Sequence, residues 1–79
     1  MKINLLNGNF SRKESLDLIT KMIHVKVKFH EDKIASAENE EDIKMRETRI
    51  RQLQKDLYEV RNLIESSKGN INLTGEINL

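Results

Sequence analysis

The chain has no cysteine, so neither a disulfide nor a Cys-ligated zinc can brace it. It also has no proline, and with high Glu, Lys, Arg, Leu and Ile content nothing forbids long uninterrupted helices. Aromatic residues make up 4% and are limited to Phe10, Phe29 and Tyr58, so large flat side chains add little burial. Neither sign of charge dominates. Fourteen Lys and Arg face 13 Asp and Glu for a formal charge of +1, which gives no global attraction to nucleic acid or anionic lipid. No apolar run approaches the roughly 18 residues that a membrane span requires, and no apolar signal-peptide core follows Met1. The expectation is a cytoplasmic protein with no membrane partner.

With 79 residues the chain is one domain at most, spanning 1–79. A chain of that size buries only about 60–65% of the surface its unfolded form exposes. Small scaffolds offset this with disulfides, a metal or oligomerisation, and here association is the remaining candidate.

Residues 1–8 read as a strand and turn. Ile3, Asn4 and Leu5 alternate apolar and polar, and Asn7-Gly8-Asn9 is a turn signal. Ser11 and Glu14 then have capping-box spacing, which starts a first helix. Nothing breaks it before Ala35-Ser36-Ala37, so it is placed at 11–37, roughly 39 Å at 1.5 Å per residue. Asn39 can cap a second helix whose first turn carries Glu40, Glu41 and Asp42, where the helix dipole favours negative charge. That helix is placed at 40–67, with Lys68 and Gly69 as its stop. A connection this short makes an antiparallel hairpin the natural arrangement; one continuous helix is the alternative. After Gly69 the period changes to two, through Ile71, Leu73, Ile77 and Leu79. Residues 70–79 read as a strand-like tail, continuous or bulged at Gly75. Hairpin topology returns both ends to one pole, where Ile3–Leu6 and Ile71–Leu79 can pair antiparallel.

The heptad pattern is clearest on the second helix, where Ile43, Ile50, Leu57 and Ile64 recur every seven residues with Leu53 and Val60 between them. The complementary position falls on Arg46 near the loop and on Ser67 at the far end. The first helix carries two stripes, one through Leu16, Ile19, Ile23, Val27 and Ile34, and one through Leu18, Met22, Val25 and Phe29. Together they span roughly 200° of arc, about twice what packing on one neighbour needs. The expected intrahairpin seam is Leu16, Ile19, Ile23, Ile50, Leu53, Leu57, Val60 and Ile64. The expected oligomer interface is Leu18, Met22, Val25 and Phe29, giving a dimer or higher assembly as a four-helix bundle. Favourable four-residue charge pairs, Asp17 to Lys21, Glu40 to Lys44, Asp42 to Arg46 and Glu47 to Arg51, mark solvated faces.

Chemistry-bearing residues are sparse. Lys26 and His30 project into the apolar arc of the first helix, where a snorkelling lysine and a satisfied interface histidine are the simplest readings. His24 and His30 lie about 120° apart around one helix, at 100° per residue, so they form no metal pair. His30, Glu31 and Asp32 diverge as consecutive helical residues, so no metal is expected. Basic residues are enriched on the first helix, and Lys21, Lys28 and Arg49 are candidate phosphate contacts, with nucleic acid as the alternative partner. Interleaved acids and the lack of a nucleic-acid motif favour a solvated surface. There is no glycine-rich phosphate loop and no nucleophile beside a base. The sequence therefore points away from an enzyme and calls for no cofactor.

Gly8-Asn9-Phe10-Ser11 with Glu14, then Lys26, Phe29-His30 and Lys33-Ile34, resembles a group of short uncharacterised bacterial proteins with a helical-hairpin pattern. The resemblance covers mainly residues 8–34 and implies the hairpin fold without an assigned activity. The expectation is a mainly α, coiled-coil-like antiparallel two-helix hairpin with short terminal β-strands. It would be a self-associating module able to engage a further protein.

Overall fold

The structure, a computed structural model, describes residues 1–79. Its order is β1 (Lys2–Phe10), α1 (Arg12–Ala35), α2 (Glu40–Ser66) and β2 (Ile71–Asn78). The helices lie antiparallel against each other, and the strands pair into a two-stranded antiparallel ribbon at the pole opposite the α1–α2 turn.

Each helix starts where its capping residue places it. The Ser11 hydroxyl accepts the Glu14 N–H at 3.1 Å, and the Ser11 N–H donates to the Glu14 carboxylate at 2.9 Å. This closes the capping box and satisfies two amides that helix geometry leaves free. The Ser11 N–H, with the Ser11 hydroxyl as the smaller cause, holds the Glu14 carboxyl below its ordinary value. The Asn39 side chain accepts the Glu41 N–H at 2.8 Å to open α2.

The ends depart from expectation by a residue or two. α1 stops at Ala35, where the Ser36 hydroxyl reaches back to the carbonyls of Asp32 and Lys33. α2 stops at Ser66, and Gly69 takes the left-handed φ of +88° that favours glycine. Lys68 lies beyond the last turn of α2, which contains no cation of its own. Arg12 of α1 takes that role, donating to the carbonyls of Glu65 at 3.3 Å and Ser67 at 3.4 Å.

The ribbon corrects one expectation and decides between two others. Asn7-Gly8-Asn9 forms no turn; β1 runs through it to Phe10. β2 is continuous, and the bulge lies opposite on β1, between Asn4 and Leu6. The extra residue, Leu5, restores the alternation. Ile3 pairs with Ile77, Leu6 with Gly75, Gly8 with Leu73 and Phe10 with Ile71, all on one face. Asn4, Asn7, Asn9, Asn72, Thr74 and Glu76 occupy the other. Without the bulge Ile3 would fall among the polar residues.

The architecture has one layer. Its principal extents are 47 × 33 × 14 Å, and the shortest is little more than one helix diameter. The radius of gyration is 15.0 Å, against about 11.6 Å for a compact chain of this length. Only Ile64 and Ser15 are buried, both on helices near the pole where α1 begins and α2 ends. No helix is long and apolar enough to cross a membrane.

Candidate self-association surface

The seam inside the hairpin follows a regular alternation of three and four residues. Its half-buried positions are Leu16, Thr20, Ile23, Val27, His30 and Ile34 on α1, with Ile19 beside Thr20, and Ile43, Arg46, Ile50, Leu53, Leu57 and Val60 on α2, where Ile64 is buried; Leu18, Asp42 and Asp56 are half-buried outside this alternation. All eight seam candidates are thus half-buried or buried. Thr20 and Ser15 extend the set, and Ser15 is the more closely packed, its hydroxyl fully enclosed without a hydrogen-bond partner.

The two polar interruptions of the pattern meet. Arg46 Nη1 lies 3.1 Å from His30 Nδ1. Arginine can only donate, so Nδ1 must accept and the proton of a neutral imidazole sits on Nε2. Burial lowers the His30 pKa, with the charges of Arg46, Lys26 and Arg49 acting in the same direction, so the neutral form this bond requires prevails at neutral pH. The side chain of Arg46 is only 20% exposed, and its Nε lies 3.7 Å from Asp42 Oδ1, an ion-pair distance too long for a hydrogen bond. That enclosed N–H has no hydrogen-bond acceptor. The guanidinium also lies 5.7 Å from the centre of the Phe29 ring, as does Lys33 Nζ, and the ring meets His30 edge-on at 5.5 Å. A polar layer of this kind near one end of a seam works against sliding of one helix along the other.

The second stripe of α1 is largely uncovered. Val25 is 71% exposed, Phe29 51% and Met22 38%, while Leu18 is half-buried. The ribbon leans back toward this face, so Met22 and Val25 share a groove of about 600 Å³ with Leu5, Leu6, Leu53 and Leu73. Ile19 and Ile23 also reach it, so the seam and the outer stripe meet within the groove instead of lying on separate surfaces. Lys26 stands exposed at its margin. Phe29 lies outside the groove, held among Arg46, His30 and Lys33. Leu5, 52% exposed, is the contributor that periodicity missed. Its place follows from the bulge, and only the pairing of β1 with β2 reveals that.

The phosphate candidates are not a bare cationic stripe. Lys21 pairs with Asp17 at 3.0 Å and Lys28 with Asp32 at 3.4 Å, while Arg49 is exposed beside His30 and Asp56. Of the charge pairs expected from sequence, Asp17–Lys21 and Asp42–Arg46 form. Glu40–Lys44 and Glu47–Arg51 do not; Arg51 turns instead to the Thr48 hydroxyl at 3.2 Å.

No protein-family model, curated protein or solved structure matches this chain. The functional reading therefore rests on the geometry above.

Proposed function

We propose that this chain is a non-enzymatic self-associating module, a structural or protein-interaction accessory whose working form is a homo-oligomer. The observation that carries the reading is exposed area. The chain leaves 6341 Å² accessible, where a folded monomer of its 9.3 kDa mass exposes about 5,000 Å². The excess, about 1,300 Å², is larger than the ~800 Å² that each partner contributes to a standard interface. Large apolar side chains lie on that uncovered surface, among them Met22, Val25 and Phe29 on α1 and Leu5, which shares the groove with Met22 and Val25.

A plate one helix thick, apolar on one face of α1, is completed by a second plate. Two hairpins stacked through Leu18, Met22, Val25 and Phe29 place four helices around one core, the geometry of a four-helix bundle. The pairing is isologous, each copy offering the same patch. Sedimentation equilibrium across nanomolar to micromolar concentrations tests this. A concentration-dependent mass reaching at least twice that of the chain is expected, and a well-folded monomer throughout the range would overturn the reading.

A further inference from the structure

The ribbon offers a second recognition element, independent of the helix stripe. Its two outer edges differ. The edge of β1 is interrupted by the bulge at Leu5 and by Gly8 at φ +149°, and it carries Lys2; bulges and lysines are devices that discourage further pairing. The edge of β2 has none of them. Its eight residues contain no bulge, proline or cation, and Glu76 is their only charge.

The intrachain bonds show which way the β2 backbone points. Met1 and Leu79 exchange both hydrogen bonds, at 2.6 and 2.7 Å. Peptide groups alternate direction along a regular strand, so Ile71, Leu73, Gly75 and Ile77 also face β1. The N–H and C=O groups of Asn72, Thr74, Glu76 and Asn78 face outward, where the sheet has no third strand. Two strands alone are marginal in water.

We infer that β2 pairs antiparallel with β2 of a second copy, joining two ribbons into a four-stranded sheet with its two-fold axis at Thr74. This rests on the self-association proposed above and names a second contact within it. Outward-facing groups must meet outward-facing groups, and apolar side chains must share a face. Both conditions require even-numbered residues to pair with even-numbered ones.

An axis at Thr74 satisfies both and matches every pair chemically. Thr74 meets Thr74, a favourable cross-strand pair. Asn72 meets Glu76, so the single charge faces a hydrogen-bonding amide and not its own copy. On the other face Ile71 meets Ile77, and Leu73 meets Gly75. That repeats the device inside the ribbon, where Leu6 faces Gly75 and Leu73 faces Gly8. An axis at Gly75 would oppose two glycines, and one at Leu73 would leave Ile77 beyond the paired segment. The edge is also continuous with the helix surface, since Leu73 and Thr74 line the same groove as Met22 and Val25.

The absence of native cysteine makes a single-cysteine test clean, with T74C and N72C oxidised in the full chain at micromolar concentration and resolved on non-reducing gels. Across the axis the Cβ atoms of residue 74 lie about 5 Å apart, near disulfide reach. Those of residue 72 lie four strand positions apart, about 14 Å at 3.4 Å per residue. T74C is expected to cross-link at least tenfold faster than N72C, with urea abolishing the difference. T74P removes one outward N–H and none that faces β1, so it should keep the helical circular dichroism and weaken association at least tenfold. Equal cross-linking of the two cysteines, or no cross-linking of T74C, would overturn the inference. If association then persists and yields to V25D, the helix-face reading stands without the strand contact. Association that yields to T74P but not to V25D would uphold the strand contact and overturn the helix face. A monomeric parent protein would overturn both.

Discussion

Replacing Val25 by aspartate separates the requirements of the monomer from those of the assembly. Val25 is 71% exposed in the single chain, and Val and Asp have similar helix propensities, so the change should cost the monomer about 0.5 kcal/mol or less. Lys21 and Lys28 lie one turn away on either side, which makes a carboxylate there electrostatically acceptable. In the proposed bundle the same position is covered. Burying the exposed part of one valine is worth about 1 kcal/mol, so two copies lose about 2 kcal/mol. Each introduced carboxylate adds at least another ~1 kcal/mol of desolvation. A total of about 4 kcal/mol corresponds to roughly a thousandfold weaker dimer. Sedimentation equilibrium reads that change directly. Thermal melts at two protein concentrations supply a second reading, because a folded oligomer melts at a concentration-dependent temperature and a monomer does not. If V25D associates within threefold of the parent protein, the outer stripe of α1 is not the interface and the surplus exposed area is covered through another surface.

Other substitutions test the interior. Ser15→Ala removes an enclosed hydroxyl that has no partner and should stabilise the fold by about 1 kcal/mol, raising the melting temperature by roughly 4–8 °C; a lower melting temperature would contradict it. Ser11→Ala should cost about 1 kcal/mol through the lost cap, and carbon-detected NMR should show the Glu14 carboxyl titrating nearer its ordinary range. Arg46→Met keeps most of the stem and removes the charge. It should raise the His30 pKa in an NMR titration while leaving it below the ordinary value, since burial is the larger cause. The pH dependence has a definite sign. His30 and Glu14 both have folded pKa values below their ordinary ones, so the unfolded chain binds more protons on acidification. Stability from His30 is fully present above about pH 6.5, its ordinary pKa, and is lost as the pH falls through the folded value. The Glu14 contribution follows in the carboxylate range. Urea midpoints should therefore decline from pH 8 to pH 5 and again on further acidification; a rise over the first interval would refute the neutral-imidazole assignment.

The helices were legible because their signals are local. A capping box needs residues three apart and an asparagine cap two, and both form at the end of one helix whatever the rest of the chain does; a heptad period of seven is likewise read along one helix, although its contacts are made with the other. The same locality makes the two stripes of α1 legible from sequence. The errors occur where a local signal competes with a distant partner. Asn7-Gly8-Asn9 has the composition of a turn, yet β2 offers it a ladder from more than 60 residues away, and the chain stays extended. Lys68 has the right type to finish α2, but Arg12 reaches its last carbonyls from across the hairpin.

Sequence alone determined the order of elements, the antiparallel turn and the surplus of apolar surface on the first helix, because composition and period suffice for those. Tertiary structure decided the rest. It joined Arg46 to His30 across 16 residues, placed the bulge at Leu5 and not at Gly75, and brought the ribbon against Met22 and Val25 to form a groove. Each of those depends on which residues of one element meet which residues of another. That matching is set by the joint packing of both, and neither strand nor helix encodes it by itself.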